Sequence, residues 1–174
     1  MKRTALSFGL LSGAIIIVYS AAIFIFFGDF SKISLPDLEK VEKLGYLRYL
    51  ILLLTVIFAI RHFKKQLGGQ GSFKQLFLAG IYTSLVVALL VGLMEFVYML
   101  INPGFMEQYG SLMSERLKAG GASAAEIAAH EQQMASYKWL ANPAAMGVFY
   151  FLETAVLGTI MSVIVALVKK TKRA

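Results

Sequence analysis

The sequence contains no cysteine among its 174 residues. Disulfide bonds, thiolate zinc sites and cysteine nucleophiles are therefore excluded. Charged residues are also scarce, at 16% of the chain, whereas hydrophobic residues make up 58%. A soluble domain is nearer to about 45–50% apolar. A water-soluble core of this size cannot accommodate so many apolar side chains, so the composition indicates a membrane protein.

The apolar residues are concentrated in four long runs. A helix needs about 20 apolar residues to cross a hydrocarbon layer about 30 Å thick. We therefore predict one membrane domain over residues 1–174, with spans at about 5–27, 44–60, 73–101 and 143–168. The predicted fold class is an all-α integral membrane protein with four transmembrane helices and an extracytoplasmic helical hairpin between the third and fourth.

The first run also has features of a cleaved signal peptide. Lys2 and Arg3 would form its basic start, and Ser20-Ala21-Ala22 supplies small residues at a cleavage spacing. However, the apolar stretch continues to Phe27, which is too long for a typical signal peptide. We expect an uncleaved transmembrane helix.

Basic residues without any acidic neighbour flank one end of the predicted spans. They are Lys2, Arg3, Arg61, Lys64, Lys65, Lys74, Lys169, Lys170, Lys172 and Arg173. The two other connections mix both signs and include Asp29 and Lys32. Cytoplasmic loops carry an excess of Lys and Arg, so we expect a bacterial inner-membrane protein with both termini in the cytoplasm. The basic flanks favour contact with the anionic lipid bilayer and no nucleic-acid binding, since no aromatic platform accompanies them.

The connection between the third and fourth spans is predicted to form an outer helical insertion at residues 104–139. Apolar side chains recur there at helical spacing, first over 105–117 and then over 127–137. Gly120-Gly121 separates the two stripes, and Ser123 with Glu126 has the spacing of a capping box. Ser72 with Gln75 repeats that spacing at the start of the third span. The pattern predicts a hairpin over the outer mouth of the bundle, with Trp139 at the interface.

Several short motifs together resemble one known family. They are the basic start, Ala59-Ile60-Arg61-His62-Phe63-Lys64 leading to Gly68-Gly69, Ser72-Phe73-Lys74-Gln75-Leu76-Phe77, and Asn102-Pro103-Gly104-Phe105. The chain resembles, over nearly its whole length, the small membrane proteins called domain of unknown function 4199, common in the Bacteroidota. The resemblance implies a four-helix inner-membrane protein with an outer insertion between helices three and four. It implies no activity and no catalytic residue.

Three ionisable residues, Arg48, Glu95 and Glu153, interrupt the apolar runs. At about 1.5 Å per residue, Arg48, Glu153 and Tyr19 lie at similar depths, about 20–24 Å from the basic flanks of their spans. A charge in the membrane interior is costly if left alone, so we predict that Glu153 faces the bundle interior and pairs with Arg48, with the Tyr19 hydroxyl as a further partner. Glu95, with Tyr98 one turn away, either joins this polar cluster or reaches water. The residues form a structural network or, alternatively, line a proton or cation path.

Small residues recur at every fourth position in the third and fourth spans. The candidates for helix packing are Gly80, Ser84, Ala88, Gly92, Gly158 and Ser162. Helices associate in lipid where small side chains let their backbones approach closely. The stripes indicate packing within one monomer or, alternatively, the seam of a homo-oligomer.

The sequence offers little chemistry for catalysis. His62 and His130 are predicted to lie on opposite sides of the membrane, in a basic flank and at a solvated helix position. No residues have metal-ligand spacing, no phosphate-binding loop is present, and no catalytic triad can be drawn. We expect no cofactor, no metal and no enzyme activity. The leading hypothesis is a structural or accessory subunit that contacts a membrane or envelope partner. The alternative is a proton- or cation-coupled transporter or channel that uses the intramembrane carboxylates.

Overall fold

The computed structural model describes residues 1–27 and 33–170, which form seven α-helices and no strand. The helices are α1 (Lys2–Phe27), α2 (Leu35–Gly45), α3 (Leu47–Gln66), α4 (Phe73–Ile101), α5 (Phe105–Ala119), α6 (Ala124–Ser136) and α7 (Pro143–Lys169), with a 3₁₀ turn at Lys138–Ala141. Four segments are long and apolar enough to cross a membrane, namely α1, α2 with α3, α4 and α7. The prediction of an all-α protein with four such helices is confirmed.

The second span extends further than predicted. α3 continues to Gln66 and ends before Gly68 and Gly69, which have φ angles of +64° and +81°. Arg and Lys are good helix formers, so the basic flank prolongs the helix beyond the predicted end at residue 60. Glycine adopts these left-handed angles without a steric penalty, and the chain turns there. For the same reason α1 already begins at Lys2 rather than at residue 5.

The starts of α1 and α4 lie at the same end of the bundle as the ends of α3 and α7. Thr4 Oγ1 donates a hydrogen bond to Gln66 Oε1 at 3.0 Å. Lys64 Nζ donates to the carbonyl oxygen of Lys169 at 2.8 Å. We call this end, formed by residues 2–8, 61–74 and 166–170, the basic end. Asp29, Lys32, Lys172 and Arg173 lie outside the described residues.

The contact between α4 and α7 forms the centre of the bundle. Gly80 lies against Ser162, Gly158 lies against Ser84, and Gly92 lies against the backbone of Gly147. Ala88 and Ser162 are fully buried. A Cβ atom added to Gly80 would lie 2.5 Å from Ser162 Oγ, so a larger residue there would force the helices apart. The small residues of these stripes therefore contact one another within a single chain.

Two capping boxes start helices at the predicted places. Ser72 and Gln75 cap α4, and Ser123 and Glu126 cap α6, with both reciprocal hydrogen bonds present in each case. A third start signal is Asn142, whose side-chain oxygen accepts hydrogen bonds from the amides of Ala144 and Ala145 at the first turn of α7. These local hydrogen bonds explain why the helices begin where the sequence indicates.

The segment between α4 and α7 contains α5 and α6. We call residues 104–142 the insertion. Neither α5 nor α6 contains a buried residue, although the side chain of Met134 lies against Gly110. α5 is tied to α2 through Arg116, whose Nη1 donates to Glu42 Oε2 at 2.8 Å. The side of the membrane on which the insertion lies remains a prediction.

Candidate functional site

Arg48 bridges two carboxylates inside the bundle. Its Nη2 lies 3.3 Å from Glu153 Oε2 on α7, and its Nη1 lies 3.5 Å from Glu95 Oε1 on α4. The side chains of Arg48, Glu95 and Glu153 are 20%, 11% and 27% exposed. One guanidinium at the start of α3 thus connects the two central helices.

Two tyrosine rings enclose the guanidinium. The Arg48 Cζ atom lies 4.8 Å from the ring centroid of Tyr49 and 4.6 Å from that of Tyr150. The Tyr49 hydroxyl accepts a hydrogen bond from Arg48 Nη2 at 2.7 Å and donates one to Glu153 Oε1. Cation–π attraction adds to the ion pairs and is strongest where water is excluded. We call Arg48, Tyr49, Glu95, Tyr150 and Glu153 the Arg48 cluster.

The structure brings Arg48, Glu95 and Glu153 together, whereas the two candidate tyrosines lie beside this group and make their contacts with other residues. The Tyr19 hydroxyl donates to the carbonyl oxygen of Leu44 at 2.9 Å, so it is not the partner of Glu153. The Tyr98 ring stacks on Phe24 with centroids 4.0 Å apart. Tyr98 and Glu95 nevertheless line the same cavity.

Sequence reasoning missed Tyr49 and Tyr150. Adjacent residues of a helix point in different directions, so the sequence does not connect Tyr49 with Glu153, the partner of its neighbour Arg48. Its phenol is nevertheless long enough to reach back to Glu153. Tyr150 lies one turn before Glu153 on α7, and that spacing was the one signal that could have indicated it.

The charges of the cluster do not balance. Two carboxylates share a single guanidinium, and Glu153 additionally receives the Tyr49 hydroxyl. Glu95 is 8% exposed. Within residues 1–27 and 33–170, its one ion pair is the 3.5 Å contact with Arg48. A buried carboxylate without full compensation is costly, so the cluster has the capacity to take up a proton or a cation.

A cavity of about 160 Å³ adjoins the cluster. Residues of α1, α2, α3, α4, α5 and α7 line it, and they include Phe24, Arg48, Glu95, Tyr98 and Tyr150. Glu42 of α2 and Tyr109 of α5 cover it. The Tyr109 hydroxyl lies 3.5 Å from Glu42 Oε1. Burial is the main cause that raises the pKa of the Tyr109 hydroxyl above its usual value. The lining of the cavity thus combines charged and hydroxyl-bearing side chains with aromatic rings.

The two histidines lie at opposite ends of the bundle, one at the basic end and one in the insertion. His62 contacts the ring of Phe8 at the basic end, with centroids 5.5 Å apart. His130 is half-buried in α6, and its Nε2 is buried without a hydrogen-bond partner. It is therefore not the solvated position that the sequence predicts, because it lies on the side of α6 that lines the cavity between α5, α6 and α7. No three His, Asp or Glu residues in the described part of the chain are placed to hold a metal.

The chain matches a known family model. The model described as "Protein of unknown function (DUF4199)" matches residues 7–171. The chain belongs to this family. The family description assigns no activity, so the chemistry of the site has to be argued from its own residues. No curated protein and no solved structure matches the chain.

Proposed function

We propose that this protein is a non-enzymatic accessory subunit of the bacterial inner membrane, which contacts an envelope partner through its insertion. The observation that supports this role is the incomplete packing of the insertion. Neither α5 nor α6 buries a residue. A cavity of about 520 Å³ separates them from α7, and its lining includes Met106, Met113 and Met134. Flexible, polarisable methionines are over-used at surfaces that adapt to a partner.

The charge distribution supports an orientation with both termini in the cytoplasm. The basic end contains Lys and Arg but no acidic residue among those described. The acidic residues that the structure describes lie in or beyond the Arg48 cluster, toward the insertion. Positive loops remain in the cytoplasm, and an insertion at the opposite end would then face the extracytoplasmic side.

Co-purification tests the accessory role. The full chain is tagged, extracted from native membranes in a mild detergent and analysed by quantitative mass spectrometry. We expect one envelope protein at fixed stoichiometry, lost when Met106, Met113 and Met134 are together replaced by Gln. Glu115→Gln, an exposed change on the same α5, serves as the matched control and should retain the partner. If the methionine variant folds and still retains the partner, the insertion is not the contact site.

Proton- or cation-coupled transport is the second candidate, favoured by the two carboxylates that share Arg48. Carboxylates inside a membrane often belong to ion or proton pathways. Against it, fully buried apolar side chains, among them Val56, Val87 and Ile60, fill the bundle between the cluster and the basic end. The buried hydroxyls of that half are hydrogen-bonded within the bundle, as Thr55 is to Ser12, and transport across it would require the helices to separate.

Flux measurements distinguish the two candidates. In proteoliposomes, transport predicts a proton or cation flux that Glu153→Gln or Glu95→Gln abolishes while the protein stays folded. Glu115→Gln changes the same charge outside the bundle and should leave the flux unchanged. An accessory subunit predicts no flux above that of empty vesicles for any of the three variants or for the unmodified chain.

A further inference from the structure

The cavity beside Glu95 differs from an ordinary packing void because a charged side chain borders it. Its volume, about 160 Å³, is many times the space of about 15 Å³ that one water needs. Packed protein interiors contain few voids larger than a water molecule. A pocket of this size, partly open to the surface and bordered by the Glu95 side chain, which is 11% exposed, points to an occupant.

The charges around the cavity favour a cation. Three charged residues line it, namely Glu42, Arg48 and Glu95. Glu42 is neutralised by Arg116 at 2.8 Å. Arg48 is divided between Glu95 and Glu153 and lies closer to Glu153, at 3.3 Å rather than 3.5 Å. One negative charge therefore remains without a full partner, and of the two carboxylates that share Arg48 it is Glu95 that borders the cavity.

The walls of the cavity select an organic cation over a metal ion. Phe24, Tyr98 and Tyr150 line it. Phe24 and Tyr98 stack on one another and one face of Tyr150 holds Arg48, so an ammonium group is attracted by the remaining ring faces, within about 6 Å of a centroid. Ca²⁺ needs six to eight oxygen ligands, and Mg²⁺ needs near-ideal octahedral geometry. The carboxylates that line the cavity are those of Glu42 and Glu95, and each is already bound to an arginine, so the lining has too few free oxygens for either ion.

The hydrogen-bonding capacity of Glu95 indicates which kind of organic cation fits the cavity. A carboxylate offers about four lone-pair sites, and Glu95 uses its Oε1 for the ion pair with Arg48. A primary ammonium donates three hydrogen bonds, whereas a quaternary ammonium donates none. We propose that this cavity binds the primary ammonium group of a small amine, held by the Glu95 carboxylate and the surrounding aromatic rings. The ammonium belongs either to a free amine or to the headgroup of an ethanolamine lipid.

Thermal unfolding of the purified full chain in an uncharged detergent tests the site with soluble probes. We expect ethanolamine to raise the melting temperature in a saturable manner. Choline has the same charge but no N–H donor, and sodium chloride matches the ionic strength, so both should have much smaller effects. A rise of equal size with sodium chloride, or no rise with ethanolamine, would overturn the proposal.

Isosteric variants locate the binding. Glu95→Gln keeps the shape of the side chain and should reduce the affinity for ethanolamine by at least about thirtyfold, because a desolvated charge pair is lost. Glu115→Gln removes an exposed charge on α5 and should leave the affinity unchanged. Equal affinity in Glu95→Gln and the unmodified chain contradicts the assignment. If Glu95→Gln does not fold, Ser20→Phe fills the cavity while keeping the carboxylate, and it should abolish the response to ethanolamine. Retained binding in Ser20→Phe overturns the site.

Nanodiscs separate the two sources of the ammonium. In discs of phosphatidylcholine, soluble ethanolamine should stabilise the protein as it does in detergent. If the lipid headgroup is the occupant, discs of phosphatidylethanolamine should raise the melting temperature by themselves, and added ethanolamine should then have no further effect. If a free amine is the occupant, the response to ethanolamine should be equal in both lipids. The site requires neither transport nor a protein partner, so its failure would leave the accessory role untouched.

Discussion

Arg48 Nη2 and Glu153 Oε2 lie 3.3 Å apart, although 105 positions separate the two residues in the chain. The pair joins α3 to α7, and Glu95 connects the same arginine to α4. A charge inside a membrane protein is tolerated where it is paired and faces the bundle. Arg48 therefore holds three of the four spans together at one depth.

Replacing Arg48 by Met should destabilise the protein strongly. The substitution leaves Glu95 and Glu153 without their cation, and breaking a buried pair in this way costs about 3–5 kcal/mol. Reversible unfolding in mixed detergent micelles measures the loss. The triple variant Arg48→Met, Glu95→Gln, Glu153→Gln removes all three charges and should recover most of the stability. An unchanged free energy of unfolding in the single variant would show that the cluster contributes nothing.

Replacing Gly158 by Leu should separate α4 from α7. A Cβ atom at this position already collides with the Cβ of Ser84, and overpacking of this kind costs about 1–3 kcal/mol. The same unfolding assay detects it. Gly45→Ala is the matched control, since a Cβ atom there meets no atom within 4 Å and alanine favours the helix by roughly 0.5–1 kcal/mol. If both variants lose stability equally, the tight contact is not the cause.

The start of α6 should loosen in acid. Hydrogen bonds from the Ser123 backbone amide and hydroxyl lower the pKa of the Glu126 carboxyl below its usual value of 4.5. A depressed pKa stabilises the folded form above the unfolded pKa, and this stabilisation is lost as the pH falls through the folded pKa. Hydrogen exchange at the Ser123 and Glu126 amides should therefore accelerate relative to a reference amide in α5 as the pH drops below about 4.5.

A neutral cap should remove that pH dependence. Glu126→Gln keeps a hydrogen-bonding side chain at the third helical position, since glutamine also completes a capping box, but it has no carboxyl to protonate. Glu131→Gln, an exposed change on the same helix, should keep the original profile. A pH profile that Glu126→Gln leaves unchanged would exclude the capping carboxylate as its origin.

Labelling of single cysteines should place the two ends of the bundle on different sides of the membrane. The chain has no cysteine of its own, so each introduced thiol gives an unambiguous signal. In intact cells with a permeabilised outer membrane, an impermeant maleimide should label Glu115→Cys and should leave Gln70→Cys unlabelled until the inner membrane is opened. The reverse pattern would mean that the basic end faces outward.

Much of the fold is encoded in local patterns. The capping spacings of Ser72–Gln75 and Ser123–Glu126 determine where α4 and α6 begin, because these hydrogen bonds form within four residues of sequence. The predicted end of the second span, at residue 60, marks the end of the apolar run. Hydropathy does not show where the helix itself ends, and α3 continues to Gln66. That end depends on Gly68 and Gly69, which follow a basic segment that is itself a good helix former.

The candidate site depends more on tertiary contacts. Depth along the spans was enough to suggest that Arg48 and Glu153 meet, because a rise of about 1.5 Å per residue is fixed. Depth left open whether Glu95 would join them, since its rotation about the axis of α4 is set by packing. The roles of Tyr49 and Tyr19 also depended on rotation: Tyr49 reaches Glu153, while the Tyr19 hydroxyl bonds Leu44.

The sequence by itself determined the environment of this protein, its four long apolar helices and the starts of several of them. These properties follow from the number of apolar residues and from hydrogen bonds between near neighbours. Only the tertiary structure decided that one guanidinium serves two carboxylates and that a cavity borders the less compensated of the two. The close approach of α4 to α7 at Gly80, Gly92 and Gly158 fixes how each helix is rotated, and that rotation determines which charges share the interior.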